Sequence, residues 1–270
     1  MTKRRAQKKN GRKPVTKSWT ADFFDWIGSH KTSAILVIIG TLTISLAKFT
    51  DSIQHLSTFV QVLSQSEKEK AVAELQKRKV EINALSLLKN ATDGNADTVT
   101  LLLNAGISPA AKDPHGWTAL HWASKEGHLP VVKSLITFRA DVNAKDEAGQ
   151  TPIMEAAAYC RTEVVSALIT SGVDLKDKSS ATALYWAAQA GCNETVETLI
   201  KAGISVNLKQ ELDWTPLMAA AEKGHLNVVQ TLLKSGADRN VSNAEGKTAS
   251  ALAQENGHSE LAAILNEAAP

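Results

Sequence analysis

Residues 118–136 read TALHWASKEGHLPVVKSLI, and residues 215–233 read TPLMAAAEKGHLNVVQTLL. The two stretches are one pattern written twice. Its opening recurs as Thr118-Ala119-Leu120-His121, Thr151-Pro152-Ile153-Met154, Thr182-Ala183-Leu184-Tyr185, Thr215-Pro216-Leu217-Met218 and Thr248-Ala249, at intervals of 33, 31, 33 and 33 residues. A fixed period near 33 marks a solenoid, in which one unit cannot bury its apolar face alone and does so against its neighbours.

Each recurring residue type has a physical reason. Threonine can cap a helix with its hydroxyl, and proline at the next position has a preset φ and no orphan N–H to waste. The small pairs Ala123-Ser124, Ala156-Ala157, Ala187-Ala188 and Ala220-Ala221 let helices approach closely. Gly127, Gly191, Gly224 and Gly257 stand where that first helix must end in a left-handed residue. Val131, Val132, Leu135 and Ile136, matched by Val228, Val229, Leu232 and Leu233, give a second helix its apolar face. Gly172, Gly203 and Gly236 end that helix in turn. One unit is therefore two short helices and a turn.

These residues closely resemble the ankyrin repeat, whose signature runs T-P-L-H-x-A-A-x-x-G-H and then V-V-x-x-L-L-x-x-G-A-D. The resemblance covers residues 85–270 and implies an all-α solenoid of helix-turn-helix units with β-hairpin fingers. Six units fall near 85–113, 114–146, 147–177, 178–210, 211–243 and 244–270. The first is degenerate, keeping Leu88, Ala91, Gly94, Val99, Leu102, Leu103 and Gly106, and the last, with Gln254, Glu255, Asn256 and Glu260, reads as a polar cap. Unit three departs from the pattern, with Cys160-Arg161 in place of Gly-His and two residues missing after Leu175, so a short finger is expected. Arg139 takes the place of a helix-ending glycine, at a cost of about 1 kcal/mol if the left-handed conformation is kept. Asp213 and Ser180 take the place of turn glycines. Cys160 and Cys192 are the only cysteines, in neighbouring units at positions offset by one. With stacked helices roughly 8–10 Å apart, both are expected to be free thiols packed between helices.

The family resemblance further implies a concave face, built from fingers and first helices, that binds a protein partner. Unit two projects His115, Trp117, Trp122, Lys125 and Glu126 onto it, and unit three Gln150, Glu155 and Tyr159. Units four and five add Ser179, Trp186, Gln189, Leu212, Trp214, Glu222 and Lys223. Trp and Tyr dominate interface hot spots because they desolvate large areas at low entropy cost. Trp122 and Trp186 follow the third motif position and can equally be packed between units, whereas Trp117 and Trp214 are expected at finger tips.

No catalytic constellation accompanies this face. His121, His128, His225 and His258 occupy motif positions with no convergent carboxylate or thiol, which reads as capping and turn chemistry rather than catalysis. The chain carries no G-x-x-x-x-G-K-[ST], H-E-x-x-H or G-x-S-x-G, so no enzyme activity and no cofactor or metal is expected. The formal net charge of +2 conceals a split: residues 1–84 hold 15 Lys/Arg and 7 Asp/Glu, residues 85–270 hold 15 and 21. An acidic body lacks the basic stripe that nucleic acid requires.

The N-terminal part is organised differently. Residues 1–18 are a basic tail with eight Lys/Arg and no acidic residue, expected to be unstructured. Residues 19–48 read as a membrane anchor with an interfacial segment: Thr32 to Ala47 is uncharged, Lys31 and Lys48 flank it, and Trp19 and Trp26 suit an interface. As a helix the run spans about 24 Å, which snorkelling lysines and a thinned bilayer can accommodate. A buried core helix is the alternative for so short a run. Cleavage after Ser45-Leu46-Ala47 is another, and it would give a secreted or host-directed binding protein. Nine Lys/Arg precede the run, which places the N-terminus in the cytoplasm and the repeats across the membrane, as in a bacterial inner membrane with a periplasmic body. Residues 49–84 form a helical linker in which Ile53, Leu56, Val60 and Leu63, then Val72, Leu75 and Ile82, make an apolar stripe. It can pack on the first unit or support weak self-association through 53–82. A soluble structural subunit, with residues 20–65 packed into a larger assembly, is the remaining class. Asn90, Asn193 and Asn240 begin sequons that matter only in a eukaryotic lumen.

Overall fold

The computed structural model describes residues 53–54, 57–58, 60–61, 64–174 and 178–267, with backbone alone at 178–181. The expected anchor at 19–48 and the expected basic tail at 1–18 lie outside the described residues, among which no helix is long and apolar enough to cross a membrane. Two units divide the chain, residues 1–64 and 65–270, and the second holds the repeats.

The repeats are helix pairs. A leading helix at 65–77 (α1) precedes α2 (Ala84–Thr92) and α3 (Ala96–Asn104), then α4 (Ala119–Glu126) and α5 (Leu129–Thr137), and α6 (Pro152–Ala158) and α7 (Thr162–Thr170). They are followed by α8 (Lys178–Ala190) and α9 (Asn193–Lys201), α10 (Pro216–Glu222) and α11 (Leu226–Lys234), and α12 (Ala249–Glu255) and α13 (Ser259–Asn266). Most are seven to nine residues long, too short to persist alone in water, so stacking holds them. One continuous core runs through the stack, with Leu87, Leu102, Leu120, Leu135, Ile153, Leu168, Leu184, Leu199, Leu217 and Leu232 fully buried. That core begins before residue 85: Ala71 and Leu75 of α1 belong to it, so the end of the linker packs on the first unit. Ile53 and Val60, the earlier part of the same stripe, are exposed.

Capping follows the motif in most units. Thr215 accepts from the Met218 N–H and Thr248 from the Ala251 N–H, while Thr118 forms a reciprocal box with His121. The Thr151 hydroxyl is buried without a partner, so unit three relies on Pro152 alone. Arg139 does adopt φ 60°, in the left-handed region.

Strand pairing among the described residues is limited to two isolated bridges, Lys112 with Thr118 and Ser242 with Thr248. The fingers are closed instead by a side chain at their base. Asp113 accepts from the His115 and Trp117 N–H groups, Asp146 from Ala148 and Gln150, and Asn243 from Glu245 and Lys247. Neighbouring fingers also join, through Glu147 N–H to His115 O at 3.2 Å and Ala244 N–H to Leu212 O at 2.9 Å.

Unit four departs from the expected finger. The helix that should start near Ala183 starts at Lys178, so five residues that would enter a hairpin continue a helix, and the deletion of two residues is absorbed there.

Cys160 and Cys192 form a disulfide, with Cα atoms 5.2 Å apart. The expectation of free thiols fails because helix-axis spacing is the wrong yardstick. Both cysteines sit at the ends of first helices, where the chain of one unit touches the next directly.

Candidate functional site

Asp113 is the organiser of the best-built cluster. Its Oδ1 accepts from the His115 and Trp117 N–H groups at 2.9 Å, and its Oδ2 from the Trp122 indole N–H at 3.1 Å. Burial works against the carboxylate, but those N–H donors outweigh it and hold its pKa below the ordinary value. A charged anchor thus holds the Trp122 indole and the Trp117 backbone, and the two ring centroids lie 4.6 Å apart.

Lys125, one turn along α4, lays its Nζ 5.5 Å from the Trp117 ring centroid, 5.3 Å from Trp122 and 5.2 Å from Tyr159 of the next unit. Three rings therefore converge on one ammonium, an arrangement worth about 0.5–1 kcal/mol per ring where water has access. Glu155 stands beside it. Burial pushes the Glu155 carboxyl above its usual value, against the pull of Lys125 and with a push from Asp146.

A second feature lies beside the early start of α8. A cavity of about 520 Å³ is lined by Lys145, Gln150, Met154, Tyr185, Trp186, Leu212 and Trp214, among others. Its floor is tied by Thr182 Oγ1 donating to Gln210 Oε1 at 2.8 Å. Burial, and then the charge of Glu222, raise the Tyr185 pKa, which keeps its phenol neutral. A shallower hollow of about 410 Å³ continues from it between Tyr159, Trp186, Gln189 and Lys223.

The fifteen residues proposed for the binding face thus separate into groups. Trp117, Trp122, Lys125, Glu155 and Tyr159 meet in the cluster; Gln150, Trp186, Leu212 and Trp214 meet around the cavity; Gln189 and Lys223 border the hollow, with Glu222 paired to Lys223 at 3.3 Å. His115 is exposed at its finger and Glu126 is half-buried beside the cluster in sequence only. Ser179 lies in α8, where only the backbone is described. Trp214 differs from the fingertip expectation: it is half-buried and packs on the core, because Leu212 and Asp213, both at positive φ, turn the finger and leave Leu212 as the exposed residue. Lys145, Met154 and Tyr185 were not anticipated. All three line the cavity beside α8, whose early start goes with the 31-residue interval in the sequence.

The motif histidines act as expected of capping residues. His121, fully buried, takes part in the Thr118 box and reaches Gln150 O at 3.2 Å, which ties α4 to the following finger. Burial lowers its pKa, so folding favours the neutral ring. The folded protein then binds fewer protons than the unfolded chain once pH drops past the ordinary histidine value of about 6.5. Its contribution to stability is complete above that pH and is lost as pH falls through it. His121→Met, the residue type standing at the equivalent positions Met154 and Met218, is expected to flatten the pH dependence of the urea midpoint between about pH 7.5 and about 5.5 relative to the native chain; equal slopes would contradict this.

His128, His225 and His258 place their rings against the glycine of the preceding unit and bond its carbonyls at Thr92, Gln189 and Glu222. Arg161 does the same at Lys125 O.

Comparison with known proteins bears on this directly. The family pattern described as Ankyrin repeats (3 copies) matches residues 55–146, 131–210 and 204–269. The chain belongs to the ankyrin-repeat family. Among solved structures, the human ASB11 ankyrin repeat domain superposes with TM-score 0.64 at 28% identity over 77% of this chain and 98% of that one. A 1.00 Å crystal structure of an ankyrin repeat domain from Acinetobacter baumannii gives TM-score 0.59 at 33% identity, covering 66% of this chain and 95% of the other. Ankyrin repeat-containing protein P1E11.10 of Schizosaccharomyces pombe is 42% identical over 53 residues, 20% of this chain. The chain spans about a quarter, 26%, of the length of that curated relative. Ankyrin repeat domains are generally protein–protein interaction modules and typically non-enzymatic.

Proposed function

We propose that this chain is a membrane-anchored scaffold that binds a protein partner on the concave face of its ankyrin repeats. One observation carries the binding reading: Trp117, Trp122 and Tyr159, contributed by two units, converge on Lys125, and Tyr159 borders the hollow shared with Trp186. The Asp113 hydrogen bonds preset the two tryptophans, so little freedom is lost when a partner covers them. Tethering rests on the uncharged run 32–47 with its flanking Lys31 and Lys48, and sidedness on the basic tail, which puts the N-terminus in the cytoplasm and the repeats on the far side. A bacterial inner membrane with a periplasmic repeat body fits these features.

Fractionation of a C-terminally tagged chain tests the tether. Full-length protein that resists alkaline extraction and is digested only from the non-cytoplasmic side supports it; soluble or shortened protein overturns it in favour of release near Ala47. Binding is tested by crosslinked capture from the same membranes. Trp117→Ala is expected to weaken a captured partner by about 2 kcal/mol, roughly thirty-fold in affinity, with helical content unchanged. Undiminished capture by both Trp117→Ala and Lys125→Ala would remove the cluster from the interface.

A further inference from the structure

One contact repeats along the stack. The His128 ring lies where a Cβ on Gly94 would be, 2.8 Å away; His225 covers Gly191 at 2.7 Å, His258 covers Gly224 at 2.5 Å, and Arg161 covers Gly127 at 2.7 Å. In every case a side-chain nitrogen also reaches the carbonyl two residues before the glycine: Thr92, Gln189, Glu222 and Lys125. The junction between units three and four departs from this. There the glycine position is Cys160 and the covering position is Cys192, and the two are joined through sulfur with Cα atoms 5.2 Å apart, inside the range that a disulfide spans. A cysteine side chain cannot reach the Ala158 carbonyl as a histidine would, so the junction gives up a hydrogen bond in exchange for a covalent one.

Two further observations set this junction apart. Cys160 keeps the left-handed φ of 57° that the replaced glycine would adopt freely and that a side chain disfavours. The same junction is where α8 starts at Lys178, five residues before the place the pattern predicts. The cross-link therefore falls at the junction where the repeat departs from its own pattern. It also adjoins the binding face: Tyr159 precedes Cys160, and Tyr159, Trp186 and Gln189 border one hollow across the junction.

We propose that Cys160–Cys192 is a structural cross-link formed in an oxidising compartment, replacing the glycine–histidine contact and fixing the two units across which Tyr159 and Trp186 face each other. Its formation is thiol–disulfide exchange with a protein disulfide as oxidant. The exposed Cys160 thiolate attacks that disulfide and expels one of its sulfurs as a thiolate. The buried Cys192 thiolate then attacks the Cys160 sulfur and expels the oxidant's second thiolate. Two electrons pass to the oxidant, which leaves as a dithiol, and two protons are released from the chain. This assignment does not rest on the membrane anchor, since a secreted chain would meet the same oxidant.

The test uses the full-length chain in cells that are acid-quenched and then treated with a thiol-reactive polyethylene glycol. Neither cysteine is expected to react before reduction, and both after it; two reactive thiols without reduction would overturn the proposal. A second measurement compares thermal midpoints of the purified chain with and without reductant. The native chain is expected to lose several degrees, Cys160→Ser/Cys192→Ser to match the reduced protein, and Cys160→Gly/Cys192→His, which restores the pair found at the other junctions, to be insensitive to reductant. A native midpoint that moves no more than that of the Gly/His variant overturns the structural role. An oxidised pair in a protein that fractionates as soluble would leave this inference standing while removing the tether.

Discussion

Gly224→Ala is expected to destabilise the repeat domain by about 3 kcal/mol, and Gly257→Ala by only about 1. The two glycines end equivalent helices with nearly the same dihedral, φ 74° and 82°. A methyl group on either meets the steric cost of the left-handed region, about 1–2 kcal/mol. Only at Gly224 does it also meet a neighbour, the His258 ring at 2.5 Å. That ring must swing aside, and its bond to Glu222 O at 3.2 Å is lost with it, which leaves a part-buried carbonyl unpaired for about 1–2 kcal/mol more. Gly257 has nothing within 4 Å. Urea unfolding of both variants measures the difference, and a double-mutant cycle of Gly224→Ala with His258→Ala isolates the contact. Equal costs at the two glycines, or no coupling in the cycle, would show that the glycine answers only to backbone conformation and not to the stacking of the next unit.

That contact also explains what the sequence did and did not disclose. The period, the threonine and proline caps, the valine pairs and the glycines at helix ends each speak of local structure, and α4, α5, α10 and α11 follow them residue by residue. Contacts between units are another matter. Gly-His looks like a helix ending followed by a polar turn, and nothing local reveals that the histidine belongs to the preceding unit's glycine. Had the partnership been known, the Cys160–Cys192 bond would have been legible, because the two cysteines fall on the two halves of it. The early start of α8 is similar. A two-residue deletion announces a shorter connection, but whether it becomes a tight turn or an extra turn of helix depends on the packing of α8, and the cavity with Tyr185 and Met154 follows from that choice. At the binding face, residue types were readable while placement was not: Trp117 and Trp122 are held by Asp113, whose role is set by its position before a finger glycine. Trp214 packs on the core although its sequence neighbours mark it as a tip.

Leu199→Ala is expected to cost about 3–4 kcal/mol and, more tellingly, to split the unfolding transition. Leu199 is fully buried in α9, and α9 packs on α7 on one side and α11 on the other. In a stack of this kind each unit touches only its neighbours, so cooperativity between the ends passes through the middle units alone. A cavity at Leu199 weakens two interfaces together. One of them, between units three and four, carries Cys160–Cys192 in place of the glycine–histidine contact, beside the Thr162–Thr195 hydroxyl pair at 2.8 Å. The stack should therefore divide there, with units one to three and units five and six melting in separate steps and the apparent urea slope falling. Leu265→Ala removes the same side chain from α13, where the residue is 2% exposed, yet only the last unit depends on it. Its effect should be fraying of that end, with one main transition retained. Unfolding followed by circular dichroism and by tryptophan fluorescence separates the cases, because Trp117 and Trp122 report the first half and Trp214 the second. Coincident curves for Leu199→Ala, or a larger loss for Leu265→Ala, would mean that the stack unfolds as one body and that the junction at α8 is not its weak point.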